Sequence, residues 1–321
     1  MWDRQLERFP ERSFVQGFGW GRYKAAQGWT PIRFTAGDAD GAVVGMVQAL
    51  VRTYPCGLAV IWCPGGHAGP IELWNPHLVE ACARSVGARH VYCRVTFMRP
   101  STEPEKQHLR ALGWRRPARP VSAPRTLIWT LPPTEDAMMA ALTGNWRHNL
   151  HRALRRNLRV AEWRDPSPSA LASLFEAMSA YKHLDMAFDQ SGFSTLARSL
   201  DGRTLVYACE NEAGIPIAVR GCVIDGDTAW DLLAASSPEG RRCYASYAVL
   251  WALIRGCRAR AVKTYDLGGI DPAAAPGVYA FKRGTGASER EQLGEWEWST
   301  SSLLARAVDL RLRLAPKAAL A

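Results

Sequence analysis

One stretch of the sequence combines a lysine, glycines and aromatic residues in a spacing that suits acyl-transfer chemistry. Residues 265–271 read YDLGGID, and after a gap rich in proline and alanine, residues 277–286 read GVYAFKRGTG. The pattern predicts a buried strand, a flexible glycine corner and then Lys282 between aromatic and glycine residues. Such a corner could hold a reacting carbonyl beside backbone amides and the lysine ammonium. The block therefore favours an active site over simple packing.

This block resembles the signature of the Fem family of peptidoglycan-bridge aminoacyltransferases, a Tyr-Asp-Phe-Gly-Gly strand followed by Phe-Lys-x-Gly-Phe-Gly. The sequence keeps the order and approximate spacing of the signature, with Leu267 and Thr285 where the family usually has phenylalanine. The resemblance implies that Lys282, with Phe281 beside it, is catalytic. Its ammonium would stabilise negative charge on the ester carbonyl, or on the departing ribose oxygen, as an amine attacks an aminoacyl ester. Two further residues of the block are predicted to contact the substrate: Asp266 and Tyr279.

The length of the chain and one pair of prolines predict how the elements that position this block are organised. A chain of 321 residues exceeds what one hydrophobic core usually supports, so two domains are expected. Pro132–Pro133 marks the boundary, because tandem prolines interrupt a strand. The prediction is a first domain over 1–132, completed by 294–321, and a second domain over 133–293 that carries the catalytic lysine. The Fem resemblance implies two tandem GNAT-like α/β domains without a long helical-hairpin insertion, with the active groove between them.

Hydrophobic periodicity predicts the elements within this frame. A strand over Thr126–Leu131 is expected to close the first domain. In the second domain, helices are predicted over 135–142, 145–158, 167–184 and 247–256, and strands over 205–210, 217–224, 228–234 and 263–268.

The last helix is predicted over Ser302–Leu314, where leucines alternate with Arg306, Arg311 and Arg313. Two settings require both an apolar and a basic face. The helix either packs an apolar stripe on the first domain or lies on a membrane surface.

A second charge signal lies in residues 146–159, which contain five arginines and no acidic residue. The apolar residues of this segment recur at helical spacing, which leaves the arginines on the opposite arc. The stripe is either a solvated helix face or a phosphate-binding surface. The Fem resemblance, in which a Lys/Arg-rich helix opens the second domain, implies nucleotide or RNA phosphate. Together with two arginines of a later loop, the predicted tRNA or phosphate contacts are Arg147, Arg152, Arg155, Arg156, Arg159, Arg241 and Arg242.

The first domain contains a Trp20-x-x-x-Lys24 pattern. It resembles the Fem motif whose lysine contacts the diphosphate of a nucleotide-linked muropeptide, a role that suits the point charge of lysine. Read without the resemblance, Lys24 is an ordinary surface lysine. A second cationic clamp is expected after Phe175, where family members commonly place an arginine. This sequence has no arginine there, and Lys182 or His183 could substitute.

These features predict transfer of an aminoacyl group from aminoacyl-tRNA to an amine of a cell-wall precursor or a related small peptide acceptor. tRNA is then a partner and co-substrate, and neither a cofactor nor a metal is expected. The main alternative is an acyl-CoA-dependent N-acyltransferase, because GNAT proteins hold the CoA pyrophosphate on a glycine-rich loop that opens a helix. Residues 239–247 occupy that place with arginines but few glycines. The third alternative is a non-catalytic, basic RNA-binding protein on a transferase fold.

The composition of the chain bears on the kind of partner it binds and on the compartment in which it works. Lysine and arginine outnumber aspartate and glutamate by 40 to 30, which favours a polyanionic partner or an anionic membrane face, although arginine used as a general surface cation would give the same balance. The eight cysteines lack C-x-x-C spacing and are predicted to be reduced core residues of a cytoplasmic protein. No long apolar run occurs, so any membrane contact should be peripheral.

Overall fold

The structure, a computed structural model, describes residues 1–156, 158–182, 189–200 and 202–314. It divides the chain into two compact units. Unit 1 comprises Met1–Pro124 and the described residues from Glu291 onward, and unit 2 comprises Arg125–Arg290. The sequence placed the boundaries some residues later, because it assigned the strand after residue 125 to the first domain. That strand instead pairs with the strand that carries Asp266, in unit 2.

The elements alternate along the chain as expected of an α/β protein. The helices are α1 (Trp2–Leu6), α2 (Phe18–Ala26), α3 (Pro76–Ser85), α4 (Glu103–Ala111), α5 (Glu135–Ala141), α6 (Gly144–Leu154), α7 (Pro168–Lys182), α8 (Gln190–Ser199), α9 (Pro238–Arg242), α10 (Ala245–Ala259), α11 (Pro276–Arg283) and α12 (Ser302–Leu314). The strands are β1 (Thr30–Gly37), β2 (Val43–Tyr54), β3 (Leu58–Gly65), β4 (His90–Pro100), β5 (Arg125–Thr130), β6 (Arg159–Glu162), β7 (Thr204–Glu210), β8 (Pro216–Asp225), β9 (Thr228–Ser236), β10 (Thr264–Gly269) and β11 (Ser288–Ser299).

Unit 1 is a sheet in the order β1-β2-β3-β4-β11. Neighbouring strands are antiparallel except β3 and β4, which are parallel and are connected through α3. β3 and β4 stay paired along eight residues, from Leu58 opposite His90 to Gly65 opposite Phe97. Bulky buried side chains, among them Trp74, Trp114 and Trp296, fill the core beside this sheet. The eight paired positions mean that β3 and β4 do not separate anywhere along this stretch.

Unit 2 repeats the motif with a sheet in the order β5-β10-β9-β8-β7-β6. Here β9 and β10 are parallel and are connected through α10, while the other neighbouring strands are antiparallel. The pairing of β9 with β10 covers only three positions and ends where Asp266 lies opposite Trp230. Since β9 continues to Ser236, the two strands separate beyond this point. The separation leaves a gap between the ends of β9 and β10, and the candidate site lies there.

The predicted α/β class with two units is confirmed, as is helix α12 with its predicted bounds. The basic helix is shorter than expected: α6 ends at Leu154, and Arg159 begins strand β6, which pairs with β7. The longest helices described in unit 2, α7 and α10, span 15 residues each. Within the described ranges, no helix has the length and apolarity that crossing a bilayer requires. Two cysteines are not core residues as predicted, since Cys56 is exposed and Cys243 is half-buried.

Candidate active site

A cavity of about 860 Å³ lies within unit 2, where β9 leaves β10. Strands β8 and β9 and helices α7, α10 and α11 contribute its lining, much of which is small and apolar. Four charged residues stand out in this lining: Arg220, Asp231, Arg241 and Lys282. Three cations and one anion give the cavity a net positive charge, which suits a ligand that carries phosphate or develops negative charge.

Lys282 reaches the cavity from the last turn of α11. Pro276 stands at the start of this helix, where its missing N–H costs nothing. The Nζ atom of Lys282 donates a hydrogen bond to the carbonyl oxygen of Gly269 at 2.9 Å, which ties the end of α11 to the end of β10. Burial lowers the pKa of Lys282 below the usual lysine value, while the nearby Asp231 charge acts in the opposite direction. The side chain is thus a positioned cation at the wall of the cavity.

The glycine corner after β10 is held by Asp266. Its carboxylate accepts hydrogen bonds from the Gly268 amide at 2.8 Å and from the Thr126 hydroxyl. Gly268 has a φ of 77°, which favours glycine, and a Cβ there would lie 3.7 Å from Lys282 Nζ. Burial raises the pKa of Asp266, and these two hydrogen bonds oppose that shift. Asp266 therefore orders the corner that receives Lys282, and it is not among the residues that line the cavity.

Phe281 anchors the lysine from the other side. Its ring packs against Tyr247 of α10 at 5.0 Å and Trp146 of α6 at 5.8 Å between centroids. Trp146 also donates its indole N–H to the carbonyl oxygen of Phe281 at 3.1 Å. Three helices thereby fix the backbone next to Lys282. The sequence analysis predicted Phe281 to be catalytic, which stays a prediction, and it treated Trp146 only as an apolar residue of its helix.

A buried ion pair that the sequence reading missed lies under the same ring. Arg220 of β8 makes two hydrogen bonds to Asp231 of β9, at 2.8 and 2.7 Å, and Tyr265 of β10 donates a third at 2.9 Å. The Arg220 guanidinium lies 5.5 Å from the Phe281 ring centre. The sequence did contain a signal for this pair. Arg220 and Asp231 each interrupt the apolar run of a strand, and a charged residue in that context is almost always paired.

Arg241 occupies the part of the cavity next to the first turn of α10. No side chain caps the amides of that turn, which begins after Tyr244. The Arg241 Nε is buried and has no hydrogen-bond partner among the described residues, while its guanidinium stacks 4.5 Å from the ring centre of the exposed Tyr181. On the neighbouring surface, Arg152 stacks on Tyr244 at 4.3 Å. The Tyr247 amide of the turn bonds to the Tyr244 carbonyl oxygen at 3.0 Å, which leaves the amides of Ala245 and Ser246 for a ligand. These amides, a cation and stacked rings together suit a phosphate followed by a nucleobase.

Of the other predicted contacts of unit 2, those that the structure describes do not line this cavity. The Tyr279 hydroxyl donates to the Glu289 carboxylate at 2.5 Å. Arg159, predicted to extend the helical stripe, lies in a strand and pairs with Glu210 at 3.4 Å. The side chain of Lys182 and the alternative His183 lie outside the described residues. The remaining predicted cations are on the surface, half-buried or exposed: Arg147, Arg155, Arg156 and Arg242.

Lys24 of unit 1 is not a surface lysine, because only 8% of it is exposed. Its Nζ lies 5.0, 4.9 and 5.3 Å from the ring centres of Trp20, Tyr23 and Trp62 and donates to the Gln27 side chain at 3.0 Å. Burial, with a smaller contribution from the Arg52 charge, lowers the pKa of Lys24 to about 8. The Trp20–Lys24 pattern thus builds an aromatic cage around a cation that is costly to bury.

Replacing Lys24 by methionine is expected to stabilise unit 1 at pH 7 by about 1–3 kcal/mol, because the folded protein no longer buries an ammonium that cation–π contacts only partly compensate. A lysine whose pKa is lower in the folded than in the unfolded protein destabilises the fold below its folded pKa. The penalty fades as pH rises from about 8 toward the ordinary lysine value of 10.5. Urea unfolding at pH 7 and pH 10 measures this, and the gain should shrink at the higher pH. An equal gain at both values would contradict the assignment. Loss of transfer activity despite higher stability would mark Lys24 as functional.

The comparisons with known proteins agree with this geometry. Residues 187–311 match the sequence profile of the FemAB family. The crystal structure of FemX superposes with a TM-score of 0.83 at 18% identity, covering 96% of this chain and 97% of that one. A tandem GNAT protein from the clavulanic acid biosynthesis pathway superposes with a TM-score of 0.54 at 12% identity, over 85% of this chain and 84% of that one. No curated protein sequence matches the chain.

The fold and the opened strand pair define the class: the chain has the α/β fold with two GNAT-like units that these two structures share. The FemAB match covers residues 187–311, which include the Lys282 block, and it supports an acyltransferase, as the sequence predicted. The fold shared with FemX extends along nearly the whole chain.

Proposed function

We propose that this protein transfers an aminoacyl group from an aminoacyl ester to an amine acceptor, with Lys282 stabilising the charge that develops. The position of Lys282 carries the proposal. Its ammonium uses one N–H on the Gly269 carbonyl, which leaves two donors at the wall of the cavity in unit 2. The FemAB match supports the same chemistry, because it includes the Lys282 block.

In this reaction the acceptor nitrogen bonds to the ester carbonyl carbon, and the bond from that carbon to the ribose oxygen breaks. Negative charge develops first on the carbonyl oxygen and then on the departing oxygen, and a fixed ammonium stabilises both. The proton of the attacking amine ends on the departing oxygen, through substrate groups or water. The lining residues described for the cavity include Ser236 and Ser246 but no cysteine, and no histidine that could activate a serine, while Asp231 is held by Arg220. The site therefore fits direct attack better than an acyl-enzyme route.

The proposed donor is aminoacyl-tRNA. A terminal phosphate would meet Arg241 and the uncapped first turn of α10, and nearby bases could stack on Tyr181 and Tyr244. Arg155 and Arg156, exposed after the end of α6, extend the positive surface. This arrangement favours a long polyanion over a single small nucleotide.

The alternative donor, acyl-CoA, is less compatible with the segment before α10, which forms the short helix α9. Gly240 is the glycine of that segment, and a Cβ on it would lie 2.2 Å from the carbonyl oxygen of Ile217, so its small size serves packing against β8. The side chains of Arg241 and Tyr244 line the cavity here and would crowd a pyrophosphate that a glycine-rich loop lets approach closely. The acceptor we propose is an amine of a cell-wall precursor or a related small peptide, on the strength of the family match.

Replacing Arg241 by alanine is expected to lower kcat/KM for aminoacyl-tRNA by about 10- to 100-fold, the effect of losing a hydrogen bond to a charged phosphate. Its neighbour Arg242 is the matched control, because it is exposed and does not line the cavity. The assay follows labelled amino acids from a mixture of aminoacyl-tRNAs into RNase-resistant products. Equal effects of the two substitutions would remove Arg241 from the donor site. Release of free CoA from acyl-CoA, with no turnover of aminoacyl-tRNA, would replace the proposal by its alternative.

A further inference from the structure

Helix α12 of unit 1 has more apolar surface than its packing uses. On one side, Leu304, Val308 and Leu312 are half-buried, and the helix contacts β4. On the other side, Leu303 is 73% exposed and Leu310 is 57% exposed. These two leucines stand seven residues apart, which is close to two helical turns, so they lie on the same face. Two large aliphatic side chains thus point away from the core in register.

The same outward face is basic. Arg306 and Arg311 are exposed at positions between and beside the two leucines, whereas the one acidic residue of the helix, Asp309, is half-buried. A further cation adjoins the end of the helix, because exposed Arg119 donates a hydrogen bond to the Leu312 carbonyl oxygen at 3.4 Å. Apolar side chains flanked by arginines are the composition of helices that lie in the plane of a bilayer surface.

We propose that the outward face of α12, formed by Leu303, Arg306, Leu310 and Arg311 with Arg119 at its end, binds the surface of an anionic lipid bilayer. The two leucines would enter the boundary between headgroups and acyl chains, and the three arginines would contact lipid phosphates. Arginines alone would suit RNA as well. The exposed leucines favour the bilayer, because a phosphate backbone gains nothing from contact with aliphatic side chains. The proposal does not depend on the reaction assigned to unit 2.

The test is flotation of the full chain with vesicles of equal parts phosphatidylglycerol and phosphatidylcholine, compared with pure phosphatidylcholine. Binding to the anionic vesicles is expected, weaker binding to the neutral ones, and a decrease with added salt. The double variant Leu303→Ser/Leu310→Ser should bind about tenfold more weakly. Replacing Arg306 and Arg311 by glutamine should cost about fivefold for each arginine. Leu154→Ser is the matched control, because Leu154 is also exposed, at 52%, beside two arginines.

All substituted side chains are exposed, and circular dichroism with thermal unfolding checks that the variants stay folded. Vesicle binding that the leucine substitutions leave unchanged would overturn the proposal, as would equal binding to neutral and anionic vesicles. The face would be an RNA surface instead if tRNA displaced the protein from vesicles and did so equally well for the leucine variant. A dimer in light scattering that the leucine variant converts to monomer, without any vesicle binding, would make the occupant a second copy of the chain.

Discussion

Lys282→Ala is expected to lower the rate of aminoacyl transfer by about 100- to 1,000-fold, the loss typical of removing one preorganised donor to a developing oxyanion. The fold should be retained because, among the described residues, the Nζ atom of Lys282 hydrogen-bonds only to the Gly269 carbonyl at the end of β10. Single-turnover kinetics with labelled aminoacyl-tRNA measure the effect on kcat separately from donor binding. Lys263→Ala is the matched control, since the Lys263 side chain is 78% exposed and adjoins the other end of the same strand.

The pH dependence should identify the ammonium as the active form. Because the charged form is required, activity should fall as pH rises through the Lys282 pKa, which burial places below that of an ordinary lysine. Asp231 opposes that shift, so Asp231→Asn should move the alkaline limb to still lower pH. A profile that is flat up to the ordinary lysine range, or an Asp231→Asn profile that does not move, would exclude a charged Lys282 as the stabilising group.

Arg220→Met is expected to destabilise unit 2 by about 3–5 kcal/mol, because it leaves the Asp231 carboxylate buried without its cation. The pair is well shielded, with side chains only 8% and 13% exposed. Thermal and urea unfolding measure the loss. Transfer activity should also fall in protein that remains folded, since the Arg220 guanidinium supports the Phe281 ring beside Lys282.

The double variant Arg220→Met/Asp231→Leu separates stability from function. Replacing a buried pair by apolar residues of similar volume is often neutral, so the double variant should recover most of the lost stability without recovering activity. Arg255→Ala, which breaks the exposed pair between Arg255 and Glu135, should cost less than about 1 kcal/mol. A double variant as unstable as the single one would show that the penalty comes from lost packing and not from an unpaired carboxylate.

Much of the fold could be predicted because its signals are local. Strands and helices follow from the alternation of apolar residues, and α12 was predicted with the bounds it has. The Lys282 block could also be found, since a glycine corner followed by an aromatic residue and a lysine is contiguous in the chain. Where the prediction of an element was wrong, a distant partner decided it: Arg159 leaves the helix because it pairs in β6 with Glu210, 51 residues away.

The sequence by itself determined the chemistry that is available: a lysine in the right motif, an excess of cations and an α/β alternation. Only the tertiary structure decided where that chemistry can occur. It opened β9 from β10 after three paired positions while β3 and β4 stay closed over eight, and it brought Arg220, Asp231 and Tyr265 from three strands under Phe281. It also enclosed Lys24 in three aromatic rings. These outcomes depend on strand register and burial, which are set by contacts between residues far apart in the chain and therefore leave no local pattern to read.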